Sequence, residues 1–105
     1  MASIHVNGID LYYEVHGSGM PLVMLHGNGE DHTTFSTLCA ALQDRFQIYL
    51  FDTRGHGKST PVSEYHYSDM AQDMTEALIQ LFDGPIDLLG FSDGGIIALF
   101  LAIWY

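Results

Sequence analysis

Residues 86–94 read Ile86-Asp87-Leu88-Leu89-Gly90-Phe91-Ser92-Asp93-Gly94. An apolar run ends in the pattern G-x-S-x-G, and a second apolar run starts at Ile96. Ser92 therefore falls where a strand turns sharply into a helix, the context that makes this pentapeptide a candidate nucleophile turn. Strand and helix backbones approach closely in such a turn, which suits Gly90 and Gly94. The turn lifts the Ser92 hydroxyl clear of the backbone. It also aims the amide N–H groups at the helix start toward an anion forming beside them.

Upstream, apolar runs alternate with turn signals. Ile4–Asn7 and Leu11–His16 flank Gly8-Ile9-Asp10 and predict a β-hairpin. Leu22-Val23-Met24-Leu25 is wholly apolar and reads as a buried parallel strand ending at His26-Gly27-Asn28-Gly29. Phe35, Leu38, Cys39 and Leu42 share one helical face, with Thr33 or Thr34 as cap. Residues 46–51 form the next strand, ending at Asp52. A loop to Tyr65 follows, and then a helix capped by Ser68 with Asp69 in its first turn. Met70, Met74, Ala77, Leu78 and Leu81 make its apolar stripe, and Asp83-Gly84-Pro85 stops it. The order is β-β-β-α-β-α-β-α. It predicts an α/β fold: a hairpin leading into a mostly parallel sheet with helices on both faces.

The bulk numbers agree. Of 105 residues, 48% are hydrophobic and 15% charged, which suits strands buried on both faces and disfavours disorder. Net charge is −10, from 13 acidic and 3 basic residues, so nucleic acid is an unfavourable partner. The single cysteine, Cys39, allows no intrachain disulfide and reads as core packing. No basic segment precedes an apolar one at the N-terminus, and the apolar run from Ile96 to Tyr105 is too short to span a bilayer. A cytoplasmic protein with no membrane partner is the expectation. Gly27-x-Gly29 opens a dinucleotide fingerprint, but His32 stands where its third glycine belongs. No cofactor and no metal are expected.

Three motifs end three successive parallel strands, the edge where open α/β sheets bind ligands. They are His26-Gly27-Asn28-Gly29, Asp52-Thr53-Arg54-Gly55-His56-Gly57-Lys58-Ser59, and the Ser92 turn. Together they resemble the α/β-hydrolase superfamily, in its branch of esterases, lactonases, C–C hydrolases, haloperoxidases and proline iminopeptidases. The string D-x-R-G-H-G-x-S is especially characteristic of that branch, and the resemblance covers nearly the whole chain. It implies a serine hydrolase of small ester, lactone or related acyl substrates. Ser92 is then the nucleophile. The backbone N–H groups of Asp93 and Asn28 form the oxyanion hole, with Gly29 as the alternative second donor. His26 and Gly27 shape the oxyanion loop. Asp52, Arg54 and His56 are scaffold, with a buried Asp–Arg pair and loop amides holding the loop beside the pocket.

In this family the triad acid and histidine follow the serine. Thirteen residues follow Ser92, and apart from Asp93 none is Asp, Glu or His. Asp93 is adjacent to Ser92 and poorly placed to orient a histidine. All six histidines precede the serine. The resemblance also implies the strand order 1-2-4-3-5, which leaves the edge of residues 86–90 bare, and an all-apolar last helix is normally buried on every side. The expectation is a single incomplete hydrolase core. By itself it would be inactive, and it would associate with itself or with a missing C-terminal portion through that edge and the last helix. A non-catalytic binding module on the same fold is the alternative.

Overall fold

The computed structural model describes residues 2–105. β1 (Ala2–Val6) and β2 (Ile9–His16) form the expected hairpin, with Val6 paired to Ile9. The turn is tighter than expected and shifted. It comprises Asn7 and Gly8 alone, both at positive φ (47° and 81°), and Ile9 and Asp10 already belong to β2. Two left-handed residues match the twist of a hairpin, and Asn-Gly supplies them at little cost.

β3 (Met20–Leu25), β4 (Phe46–Phe51) and β5 (Asp87–Gly90) complete a five-stranded sheet in the order β1-β2-β4-β3-β5. β3 runs parallel to β4 and β5, whereas β2 meets β4 antiparallel. α1 (Ser36–Leu42) covers one face, where Phe35 and Cys39 pack with Leu22, Met24, Ile48 and Leu50. α2 (Tyr67–Leu81) and α3 (Asp93–Trp104) cover the other, over Leu11, Val23, Leu25 and Phe51. The alternation along β3 and β4 sorts each strand's side chains between these two clusters, as the pleat requires.

Both helix caps differ from expectation. The α1 segment is preceded by a 3-10 turn, His32–Phe35, whose cap is Asp31: its carboxylate accepts the Thr33 N–H at 2.9 Å. Thr33 and Thr34 lie inside that turn. Ser68 is the second residue of α2 and caps nothing, because the chain becomes helical one residue earlier, after His66.

α3, apolar all round, is covered on one face only. Gly94, Ile97 and Leu101 are buried against the sheet and α2, but Leu99, Ile103 and Trp104 face outward. Among the described residues β5 has one neighbour, β3, and its other edge is unpaired. Among the described residues no helix is long and apolar enough to cross a membrane.

Candidate active site

The β5–α3 junction is as sharp as the sequence requires. Ser92 has φ 56° and ψ −118°, one of two non-glycine residues at positive φ among those described. Such a conformation costs about 1–3 kcal/mol and persists only where the surroundings over-determine it. Here they do. The Phe91 N–H donates to the Leu25 carbonyl at 3.0 Å, and the Gly94 and Gly95 N–H groups close back onto Phe91 and Ser92. A Cβ on Gly94 would lie 2.1 Å from the Leu25 carbonyl oxygen, and one on Gly90 would lie 2.3 Å from that of Gly94. The turn is therefore pressed onto β3, and Ser92 is left exposed. Among the described residues, none hydrogen-bonds the Ser92 hydroxyl.

Asp93 is the first residue of α3, so its N–H has no carbonyl within the helix to bond. Its carboxylate accepts the Tyr67 hydroxyl at 2.8 Å. That hydrogen bond is the main cause pushing the Tyr67 phenol up from its ordinary pKa.

The loop after β3 lies directly against this turn: a Cβ on Gly27 would sit 3.2 Å from the Ser92 Cβ. Two buried histidines hold the loop. His26 Nε2 accepts the Thr53 N–H at 3.2 Å, which leaves the proton on Nδ1 to donate to the Gly27 carbonyl at 2.7 Å. Burial pushes the His26 pKa down, so the ring is neutral and fully used in positioning. His56 Nε2 accepts the Gly29 N–H at 3.0 Å, and its Nδ1 lies 3.0 Å from the Arg54 carbonyl. The Gly29 amide is thus engaged, whereas the Asn28 amide has no partner among the described residues. The Asn28 side chain accepts the Tyr65 hydroxyl at 2.8 Å, and the Gly27 N–H donates to Glu30 Oε1 at 2.7 Å.

The Asp–Arg pairing within the second motif is corrected. Arg54 does not pair with Asp52. Its Nε and Nη2 donate to Asp73 of α2 at 2.6 and 2.8 Å, a two-pronged contact on a carboxylate 2% exposed. Asp52 faces the opposite way. Fully buried, it accepts the backbone N–H groups of His32 (2.6 Å) and Lys58 (2.8 Å) and meets the His32 ring at 2.9 Å. The two acids therefore anchor opposite sides of one loop: Asp52 ties it to the chain leaving β3, and Arg54 ties it to α2. Asp73 was legible, since a carboxylate inside the stripe Met70, Met74, Ala77 calls for a buried partner. Nothing in the sequence marks His32, whose other ring nitrogen lies 3.2 Å from Glu14 Oε2.

Ser92, Gly27, Asn28 and Asp93 are thus gathered at the C-terminal ends of β3 and β5, and Asp52, Arg54 and His56 support them from behind. Among the described residues no group of three or more His, Cys, Asp or Glu could hold a metal ion.

Residues 20–105 match the family described as alpha/beta hydrolase fold. A soluble epoxide hydrolase from Corynebacterium sp. (strain C12) is 32% identical, over 92% of this chain and 34% of the relative. A pimeloyl-[acyl-carrier protein] methyl ester esterase from Vibrio cholerae is 30% identical, over 89% of this chain and 35% of the relative. In three dimensions an esterase from Exiguobacterium antarcticum superposes with TM-score 0.87 at 39% identity, covering 93% of this chain and 37% of that one. The chain spans little more than a third of the length of these relatives.

Proposed function

The chain belongs to the alpha/beta hydrolase fold family, and from that premise we propose that Ser92 is the nucleophile of a serine hydrolase acting on small ester, lactone or related acyl substrates. The observation that carries this is the strained Ser92 turn held against Gly27, whose chain neighbours Asp93 and Asn28 have backbone N–H groups uncommitted among the described residues. In acylation Ser92 Oγ bonds to the carbonyl carbon while its proton passes through a base to the departing alcohol. The oxyanion formed accepts hydrogen bonds from the Asp93 and Asn28 amides. Water then reverses the sequence and releases the acid. Loss of one such donor raises the barrier by about 2.7–4 kcal/mol. Gly29 is the weaker candidate for the second donor because its N–H already serves His56.

Elementary chemistry favours acyl substrates over epoxides. A serine ester can be reopened by water, whereas serine attack on an epoxide gives an ether that cannot, and covalent catalysis needs an intermediate that breaks down. The base and its orienting acid have no candidate near Ser92 among the described residues. His26 and His56 are committed to the loops, and Asp93, adjacent to Ser92 in the chain, is poorly placed to orient a histidine that must reach the Ser92 hydroxyl. We infer that chain beyond these 105 residues supplies both. A fluorophosphonate probe tests the nucleophile. The longer gene product should label on the peptide containing Ser92, and labelling unchanged by Ser92→Ala sinks the assignment. The isolated 105-residue chain should label far more slowly. Normal labelling and normal ester turnover by that chain would refute the inferred missing base.

A second proposal rests on the unpaired β5 edge and the uncovered face of α3. Beside them Leu78, Phe82, Ile86, Leu101 and Trp104 line an apolar cavity of about 720 Å³. The isolated chain should associate, with itself or with the segment that supplies the base, by strand addition at residues 86–90. A monodisperse monomer by light scattering at micromolar concentration would exclude it.

A further inference from the structure

We propose that the Asp93 carboxylate selects substrates carrying an ammonium group close to the scissile carbonyl, as esters of amino acids do. The proposal rests on Ser92 being the nucleophile, and it names the substrate class of that same site.

Asp93 contributes its N–H to the oxyanion, so its carboxylate belongs to the residue nearest the charge that develops there. A negative group in that place opposes an oxyanion from any neutral or anionic substrate. A cation on the substrate, lying between the two, turns the opposition into attraction. Among the described residues no Lys or Arg side chain provides such a cation. Of the three basic residues, Arg54 is committed to Asp73, and Lys58 stands over the Tyr12 ring at 4.9 Å. Arg45 lies just before β4, at the sheet edge opposite Ser92. Among the described residues Asp93 takes part in no ion pair.

The carboxylate is nevertheless fixed in direction. The Tyr67 hydroxyl donates to Oδ1 at 2.8 Å, which leaves Oδ2 without a protein donor among the described residues. An α-ammonium stands one carbon from its carbonyl, a separation that suits a carboxylate one residue from the nucleophile. The net charge of −10 adds a field that draws cations rather than anions to the molecule.

The test uses ligands that are not turned over, so it does not depend on the missing base. L-leucinamide and its N-acetyl derivative are titrated into the 105-residue chain while backbone and side-chain NMR signals of Asp93, Gly94 and Tyr67 are followed. Leucinamide should shift these signals saturably, and the acetylated amide about tenfold more weakly, as loss of one charged hydrogen bond implies. Asp93→Asn should weaken leucinamide by a similar factor. Tyr67→Phe, which leaves α3 untouched, should weaken it by a smaller one and guards against misfolding of the first variant. Equal shifts by both ligands, or shifts unchanged in Asp93→Asn, overturn the proposal. Ser92→Ala should keep the leucinamide shifts. If those shifts persist while the longer protein's probe labelling proves independent of Ser92, the nucleophile assignment fails and ammonium binding by Asp93 stands.

Discussion

Removing the Arg54 guanidinium should be among the most damaging single changes outside the core. Asp73 lies on the buried face of α2 with its side chain 2% exposed, and Arg54 meets it at 2.6 and 2.8 Å. Among the described residues its one other side-chain partner is the Asn7 amide at 3.1 Å. Arg54→Ala therefore leaves a buried carboxylate nearly uncompensated, which costs about 3–5 kcal/mol. A small domain has about 5–15 kcal/mol in total. At about 4 °C per kcal/mol, the gentle end for this size, the melting temperature should fall by at least about 12 °C. Circular dichroism of thermal unfolding at neutral pH reads this directly. The double variant Arg54→Met/Asp73→Leu removes both charges and should recover most of the loss, because a buried ion pair is often no better than packed apolar side chains. A loss in Arg54→Ala below about 1 kcal/mol would show a solvent-screened pair of surface strength and refute the reasoning. Coupling of Arg54 to Asp52, and none to Asp73, would restore the pairing expected from sequence.

Other outcomes follow from particular contacts. Tyr12 donates to Glu14, and this hydrogen bond pushes the phenol up to about 12 from 10.0. Its contribution to stability is therefore complete below pH 10 and is lost as pH rises through 12. Ultraviolet titration should show Glu14→Gln bringing the Tyr12 ionisation back toward its ordinary value, and no movement would refute the assigned cause. The same contact and His16 hold the Glu14 carboxyl below its ordinary 4.5, so that contribution is full above pH 4.5 and fades on acidification. Gly94→Ala, with its Cβ 2.1 Å from the Leu25 carbonyl, should cost at least the about 1–3 kcal/mol typical of overpacking; near-native stability in urea would contradict the close approach. The Cys39 thiol, buried and pushed up by desolvation, should react with a disulfide reagent only as fast as the chain unfolds, and rapid reaction in the native protein would disprove its burial.

Much of the site was legible because its logic is local. G-F-S-D-G fixes a strand–turn–helix junction through two glycines whose positions the backbone itself enforces, and the structure places Ser92 in a conformation that only such a junction sustains. Asn7-Gly8 announces a two-residue turn by its own dihedral preferences, although the hairpin turn was expected one residue later. Helix starts were misassigned because Asp31, Thr33, Thr34, His66 and Ser68 all stand near a boundary. Which of them caps depends on where the preceding loop releases the chain.

The sequence by itself determined the order of the elements, the two-faced burial of the sheet and the turn that presents Ser92. These follow from apolar period and turn chemistry within a few residues. Tertiary structure alone decided that Arg54 meets Asp73 rather than Asp52, 19 residues away instead of two. It also decided that His56 takes the Gly29 amide and leaves that of Asn28 free, and that Tyr67 aims the Asp93 carboxylate. Those choices depend on how the loop of residues 52–66 is routed across the sheet edge. Charge and hydrogen-bond partners are interchangeable in a sequence and become specific only when packing fixes distance and direction.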